Sequence, residues 1–163
     1  IICNSEGSKI SLQKLLFDKS KVISIYNPYL KKIYSKKKLS KRSFIITVGR
    51  LTKQKDHQSL VKAVQILNKK GINIKLLIIG DGDQRGKIQK LIDKFKLQKN
   101  IKILGWKKNL TNYYKSAKIF VLSSLYEGLG NVVIDAVNFN TPVITTNCKS
   151  GPSEIVKKIK VVL

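Results

Sequence analysis

Carboxylates are scarce in this chain. Nine Asp and Glu stand against 33 Lys and Arg in 163 residues, a formal net charge of +24. Cysteine is nearly as rare: Cys3 and Cys148 form no CxxC pair and point to neither a disulfide framework nor a zinc site. With His57 the sole histidine, metal chemistry is weakened further, and neither a metal nor a cofactor is expected. No apolar run approaches the ~18 residues of a membrane span. The longest are stretches such as Leu76-Leu77-Ile78-Ile79. No initiator Met or signal-peptide pattern precedes Ile1, and the chain ends at Leu163 in an apolar run. Those ends lead to the expectation of a fragment of something longer; its location is separately expected to be cytoplasmic.

What is present is globular. Hydrophobic residues make up 42% of the chain, so the charge does not signal disorder. Lys supplies 30 of the basic residues, and Arg42, Arg50 and Arg85 are the only arginines. Dedicated phosphate and base readers lean on Arg, whose planar fork binds bidentately. A Lys excess alongside 22 Ile and 11 Asn matches the coding bias of an AT-rich genome. The remaining readings are attraction to an anionic membrane surface or to nucleic acid. A basic nucleic-acid binding module is therefore the competing functional class, marked by affinity that falls steeply with salt.

Periodicity alternates along the chain. Strands are expected at 43–48, 73–79, 101–104, 119–122 and 142–145, each a mainly apolar run. Helices are expected at 56–70, 83–97, 109–118, 130–139 and from 153, with Asn109 as a cap. Buried strands separated by helices predict a doubly wound parallel sheet, Rossmann-like, with its ligand at the carboxyl ends of the strands. The first 42 residues differ. A short strand and helix at 1–21 and a strand at 22–28 precede Lys31–Arg42, which holds seven basic residues in twelve and reads as an interlobe linker.

Several turns on the ligand edge carry chemistry. Gly80-Asp81-Gly82 with Gly86 resembles a dinucleotide fingerprint. No acid lies between Asp93 and Glu127 to take a ribose, so a nicotinamide site is disfavoured and a tight glycine turn suffices. Gly49-Arg50 with Lys55 offers a guanidinium and an ammonium to one crevice, suited to a diphosphate, although Lys is common enough to fall there by chance. Glu127-Gly128-Leu129-Gly130 follows the fourth strand and opens the helix holding Asp135. Glycines there allow close backbone approach, and the helix start offers free amides to negative charge. Glu127 and Asp135, eight positions apart, can bracket an extended ligand by accepting from hydroxyls. His57 is expected at the surface. Trp106 either shelters a base or packs.

Taken in order, the segments VGRLTKQKD at 48–56, IIGDGDQR at 78–85, ILGW at 103–106, SSLYEGLGNVVIDAV at 123–137, TPVITT at 141–146 and SGPSEI at 150–155 carry a family resemblance. The chain resembles the C-terminal half of a retaining nucleotide-sugar glycosyltransferase of the GT-B fold, family 4. Val22–Pro28 is similar to the handover between lobes, so residues 1–42 are expected to be the tail of an acceptor lobe plus linker, and 43–163 a C-terminally truncated donor-binding domain.

The resemblance implies that Arg50 and Lys55 hold the donor diphosphate and neutralise the departing nucleotide, with Gly49 and Gly80 in the turns beside them. Glu127 would contact the transferred sugar, completing a catalytic set with Arg50 and Lys55. The backbone of Gly128, Leu129, Gly130, Asn131 and Val132 would line its pocket. Asp135 would take the ribose, where the family has Glu. Leu104, Gly105 and Trp106 would lie against the base, uracil by expectation. Glu154 falls to capping or packing. The donor is then a UDP-sugar, with GalNAc the preferred guess and galactose or glucose nearly as apt. The acceptor would be a lipid-linked or polysaccharide glycan of O-antigen type. The acceptor lobe being elsewhere, this chain is expected to bind donor without turnover, and its basic surface to meet an anionic membrane.

Overall fold

The computed structural model describes residues 1–16, 18–26, 43–148 and 150–158. Its first unit is small: β1 (Ile2–Cys3), α1 (Glu6–Gln13) and β2 (Ile23–Ser24). The two strands pair in parallel, Ile2 with Ile23 and Cys3 with Ser24. Ser5 caps α1 by accepting from Ser8 N–H. The strand expected at 22–28 is thus two residues long as far as it is described; Asn27-Pro28 and Lys31–Arg42 lie outside the described residues.

The apolar runs expected as strands form a second, five-stranded sheet. Its members are β3 (Phe44–Val48), β4 (Leu76–Ile79), β5 (Ile101–Ile103), β6 (Ala117–Leu122) and β7 (Val143–Thr145), ordered β5-β4-β3-β6-β7 and parallel throughout. Helices α2 (His57–Lys69), α3 (Arg85–Lys94), α4 (Thr111–Ser116), α5 (Asn131–Asn138) and α6 (Pro152–Lys158) connect or follow them. On one face, Leu60, Val61 and Val64 of α2 and Ile88 and Ile92 of α3 pack on Leu76 and Ile78. On the other, Tyr114 of α4, Val133 and Ala136 of α5 and Ile155 of α6 pack on Ile46, Val48 and Phe120. Both faces are covered, which is why the strands are apolar on both sides.

Chain order explains where a ligand belongs. The sheet grows outward from β3 to β4 and β5, then returns to place β6 on the other side of β3. That reversal leaves a crevice at the carboxyl ends of β3 and β6, the switch point of a doubly wound sheet. The turns at 49–56 and 123–130 open there. Gly80 keeps the neighbouring turn tight: a Cβ at this residue would stand 1.9 Å from the Gly49 carbonyl oxygen, at φ +141°.

Two expectations need correction. His57 is 3% exposed, not a surface residue. It shares the buried stripe of α2 with Leu60, Val61 and Val64, the i, i+3, i+4, i+7 spacing of a core-facing helix. Trp106 does not pack, being 72% exposed. Asn109 acts one residue ahead of the cap position, accepting from Thr111 N–H at 3.0 Å.

Candidate functional site

The crevice between β3 and β6 is closed by one ion pair. Lys55 ends the 3-10 turn Lys53–Lys55 after β3, and Glu127 stands in the loop after β6. Their Nζ and Oε1 atoms lie 2.5 Å apart, with the side chains 14% and 7% exposed. Ser124 Oγ donates to the same carboxylate oxygen at 2.6 Å. The sequence expectation is a free Lys55 ammonium for phosphate. In the structure its charge is already met by Glu127, because the two turns converge across the switch point.

Backbone contacts hold the two turns in register. Leu125 N–H donates to the Gln54 carbonyl and Gln54 Nε2 to the Tyr126 carbonyl, both at 2.8 Å. Ser123 Oγ donates to the Lys55 carbonyl at 2.9 Å, and Ser150 Oγ to the Glu127 carbonyl at 2.7 Å. Beneath the loop, Thr146 Oγ1 and Cys148 Sγ both reach the Ser124 carbonyl. Gln54, Ser123, Ser124 and Ser150 are thus site-building residues that motif spacing does not single out. Ser123-Ser124 at the strand's end is the available signal, since hydroxyls there can tie a departing loop.

Arg50 is exposed at the end of β3 and forms no ion pair among the described residues. Gly49 lies under the Lys55 side chain, whose Cε would sit 3.5 Å from a Cβ at this position. The guanidinium is therefore free beside a neutralised pair, an arrangement that attracts a further anion.

Glu127 and Asp135 do not share a helix. Only Asn131 onward is helical, and Gly130 caps it in the left-handed conformation at φ 80°. The span of about two helical turns implied by their spacing is thus replaced by a loop followed by one helix. Gly128, Leu129 and Gly130 form that loop, backed by Gly151, where a Cβ would meet the Gly128 carbonyl oxygen at 2.1 Å. Asn4 approaches Gly128 from the first unit: a Cβ at that glycine would stand 3.2 Å from the Asn4 Oδ1. Leu129 and Val133 enter the core, whereas Val132 packs at its margin. Asp135 is exposed and lines a separate depression of about 530 Å³ with Leu110, Thr111, Tyr114 and Phe139. Partial desolvation there holds its carboxyl above the ordinary range.

At the β5 end, Gly80 N–H donates to the Gly105 carbonyl at 2.9 Å, and Leu104 N–H to the Ile78 carbonyl at 2.8 Å. Trp106 leaves this turn with its indole uncovered. Arg85, paired with Asp81 at 2.8 Å, reaches over Gly105, a neighbour that the motif spacing does not reveal.

Glu154 ties the two units together. It accepts from Gly7 N–H at 2.9 Å, Glu6 N–H at 3.0 Å, Gly151 N–H at 3.1 Å and Tyr26 O–H at 2.7 Å. Burial raises its pKa, but these hydrogen bonds outweigh burial and the net value falls below the ordinary carboxylate one. The expected capping role is what it performs, for its own helix and for α1.

A family model described as glycosyl transferases group 1 matches residues 31–161. The chain belongs to this family. It is 41% identical over 149 residues to an uncharacterised glycosyltransferase of Methanocaldococcus jannaschii, covering 91% of this chain and 36% of that protein. Over 117 residues it is 38% identical to the amylovoran biosynthesis glycosyltransferase AmsD of Erwinia amylovora, covering 72% and 33%. It is 31% identical over 160 residues to a Campylobacter jejuni N-acetylgalactosamine-N,N'-diacetylbacillosaminyl-diphospho-undecaprenol 4-alpha-N-acetylgalactosaminyltransferase, covering 95% and 43%. Among solved structures, S. aureus TarM with fondaparinux, alpha-GlcNAc-glycerol and UDP superposes with a TM-score of 0.85 at 25% identity, covering 94% of this chain and 31% of TarM. This chain therefore spans less than half the length of these glycosyltransferases. The parallel sheet flanked by helices is the Rossmann-like arrangement of GT-B glycosyltransferases, as the sequence resemblance implied.

Proposed function

We propose that this chain is the donor-binding part of a retaining glycosyltransferase that draws a hexose or N-acetylhexosamine from a UDP-sugar. The observation that carries the reading is the Lys55–Glu127 pair across the switch point, with the unpaired Arg50 guanidinium beside it. A donor diphosphate arriving at Arg50 competes with Glu127 for the Lys55 ammonium. Both cations then neutralise charge on the departing nucleotide, an effect that grows toward the transition state. Glu127, released from Lys55 but still held by Ser124, is left to accept from sugar hydroxyls. In this reading Trp106 and the turn at Gly105 flank a uracil, and Asp135, in its own depression between α4 and α5, takes the ribose hydroxyls. A UDP complex of TarM, a structural neighbour, supports the nucleotide class.

The acceptor side belongs to the rest of the longer protein. Ile1, Ile2, Ile10, Leu15, Ile23 and Ile25 are exposed on the first unit, an apolar surface suited to the remainder of an acceptor lobe. The relatives act, by their names, in amylovoran biosynthesis and on a diphospho-undecaprenol glycan. We assign this chain's parent a lipid-linked or polysaccharide acceptor on that basis, with GalNAc the leading sugar, and a cytoplasmic location against an anionic leaflet. Among the described residues no helix is long and apolar enough to cross a membrane.

Calorimetry with UDP and a panel of UDP-sugars tests the donor site. Binding of UDP by the parent chain and at least tenfold weaker binding by Arg50→Ala, about 1.4 kcal/mol, is the expected result. Absence of heat with every nucleotide would sink the assignment. Equal UDP affinity in Arg50→Ala would remove the diphosphate role.

A further inference from the structure

Beside the Lys53–Lys55 turn lies a second hollow that Lys55 and Glu127 do not line. A cavity of about 460 Å³ opens there, between the starting ends of α2 and α3. Thr52, Lys53 and His57 form one wall, Lys62 lies further along α2, and Gln84 and Lys87 come from the start of α3. Leu125, from the loop that carries Glu127, also lines the cavity, so it adjoins the donor crevice, but none of the other side chains takes part in the donor site described above.

Three observations converge on this cavity. The first concerns hydrogen bonding. Among the described residues, two buried side-chain polar atoms lack any partner, Thr52 Oγ1 and His57 Nδ1. Both residues line this same cavity. Folded proteins leave few buried polar atoms unpaired, and here two belong to residues that line one cavity. The second is charge. Lys53, Lys62 and Lys87 face the cavity and form no ion pair among the described residues. Asp56 is the only carboxylate on the wall, and its Oδ1 already caps α2 through Ser59 N–H. With His57 neutral, three ammonium groups against one carboxylate leave a formal +2 on the lining. The third is size: about 460 Å³ lies within the range of small-molecule sites and well above that of a single ion.

We propose that this cavity binds a small phosphate monoester, a second anion site distinct from the donor diphosphate site. A phosphate monoester carries about −1.5 to −2 at neutral pH, matching the charge of the lining. Lys53, Lys62 and Lys87 surround the phosphoryl oxygens. The unpaired Thr52 and His57 atoms are buried behind this wall, so they gain partners only when an occupant shifts the side chains around them, and Gln84 offers an amide to hydroxyls of the organic part. Lys53 and Lys55 belong to one short turn, so an occupant here touches the element that carries Lys55 into the donor crevice.

His57 is the only histidine in the chain, so its ring C–H resonances give one assigned NMR reporter on the cavity wall. The chain is titrated at neutral pH and constant ionic strength with inorganic phosphate and with a hexose 6-phosphate, chloride being the reference anion. A saturable His57 shift is expected with both, at lower concentration for the hexose 6-phosphate. The double variant Lys62→Gln/Lys87→Gln alters two exposed side chains and should weaken that binding about tenfold or more. Arg50→Ala should leave it unchanged. The proposal is overturned by no saturable shift, by equal affinity in the double variant, or by loss of the response in Arg50→Ala. Hexose 6-phosphate binding no tighter than phosphate would remove the monoester. UDP calorimetry on the same samples separates the two sites: failure of UDP to bind ends the donor reading and leaves the His57 result standing.

Discussion

Removing one partner of the Lys55–Glu127 pair should destabilise the fold far more than removing both. The side chains are only 14% and 7% exposed, so Lys55→Met strands a buried carboxylate whose one remaining side-chain donor is Ser124. Stranding a buried charge costs about 3–5 kcal/mol, and the residual solvent contact of Lys55 brings the expectation to about 3. For a domain of this size that corresponds to a fall in Tm of about 6–12 °C. Glu127→Gln leaves the Lys55 ammonium without its counter-charge and should cost about 2 kcal/mol. In the double variant Lys55→Met/Glu127→Gln no charge is stranded, and the loss should fall short of the sum by about 1–3 kcal/mol. Urea unfolding of the parent and the three variants at neutral pH measures each corner of the cycle. Additivity within about 0.5 kcal/mol, or a Lys55→Met penalty below about 1 kcal/mol, would refute the claim that the pair closes the crevice.

Three further outcomes follow from named contacts. His57 is held neutral by burial first and by the Lys55 charge second, with its pKa lowered from 6.5 to about 4. A group whose folded value is depressed loses its contribution as pH falls, so about 3 kcal/mol should be withdrawn between pH 6.5 and 4. Urea midpoints of His57→Phe against pH should lack that component; an identical pH slope would contradict it. Glu154→Ala frees four donors, and amide exchange at Glu6, Gly7 and Gly151 should accelerate at least about tenfold, while Glu154→Gln recovers part of the protection. Because this carboxyl titrates below its ordinary value, its contribution is complete above pH 4.5 and fades as pH falls further; protection insensitive to acid would count against the contact. Gly151→Ala forces a Cβ to 2.1 Å from the Gly128 carbonyl oxygen at φ +69°, and should cost about 2 kcal/mol by thermal melt and weaken UDP binding through the displaced loop.

The order of elements is legible in the residues because burial on both faces of a parallel sheet leaves continuous apolar runs. Glycine-bearing turns mark the strand ends, so the ligand edge follows from the pattern alone, and the ordered motifs name the family. His57 is the exception within a helix that was otherwise readable. Its spacing with Leu60, Val61 and Val64 carries the burial signal, but the polarity of an imidazole at a helix start points the other way.

Carboxylate scarcity directs attention to Glu127 and Asp135 from the sequence alone, and local spacing says that each lies near the ligand edge. What each touches is decided by the tertiary structure. Lys55 and Glu127 are separated by 72 positions, and only the return of the chain to place β6 beside β3 brings their charges together. Glu154 and Gly7 are separated by 147 positions and meet only because the first unit docks on α6. The two unpaired atoms of Thr52 and His57 are equally invisible in a string of letters, since a missing partner is a property of the packed surroundings. Composition, periodicity and turn residues act over a few positions and so determine elements and family. Charge pairing and hydrogen-bond satisfaction act through space, and those are what tertiary folding alone assigns.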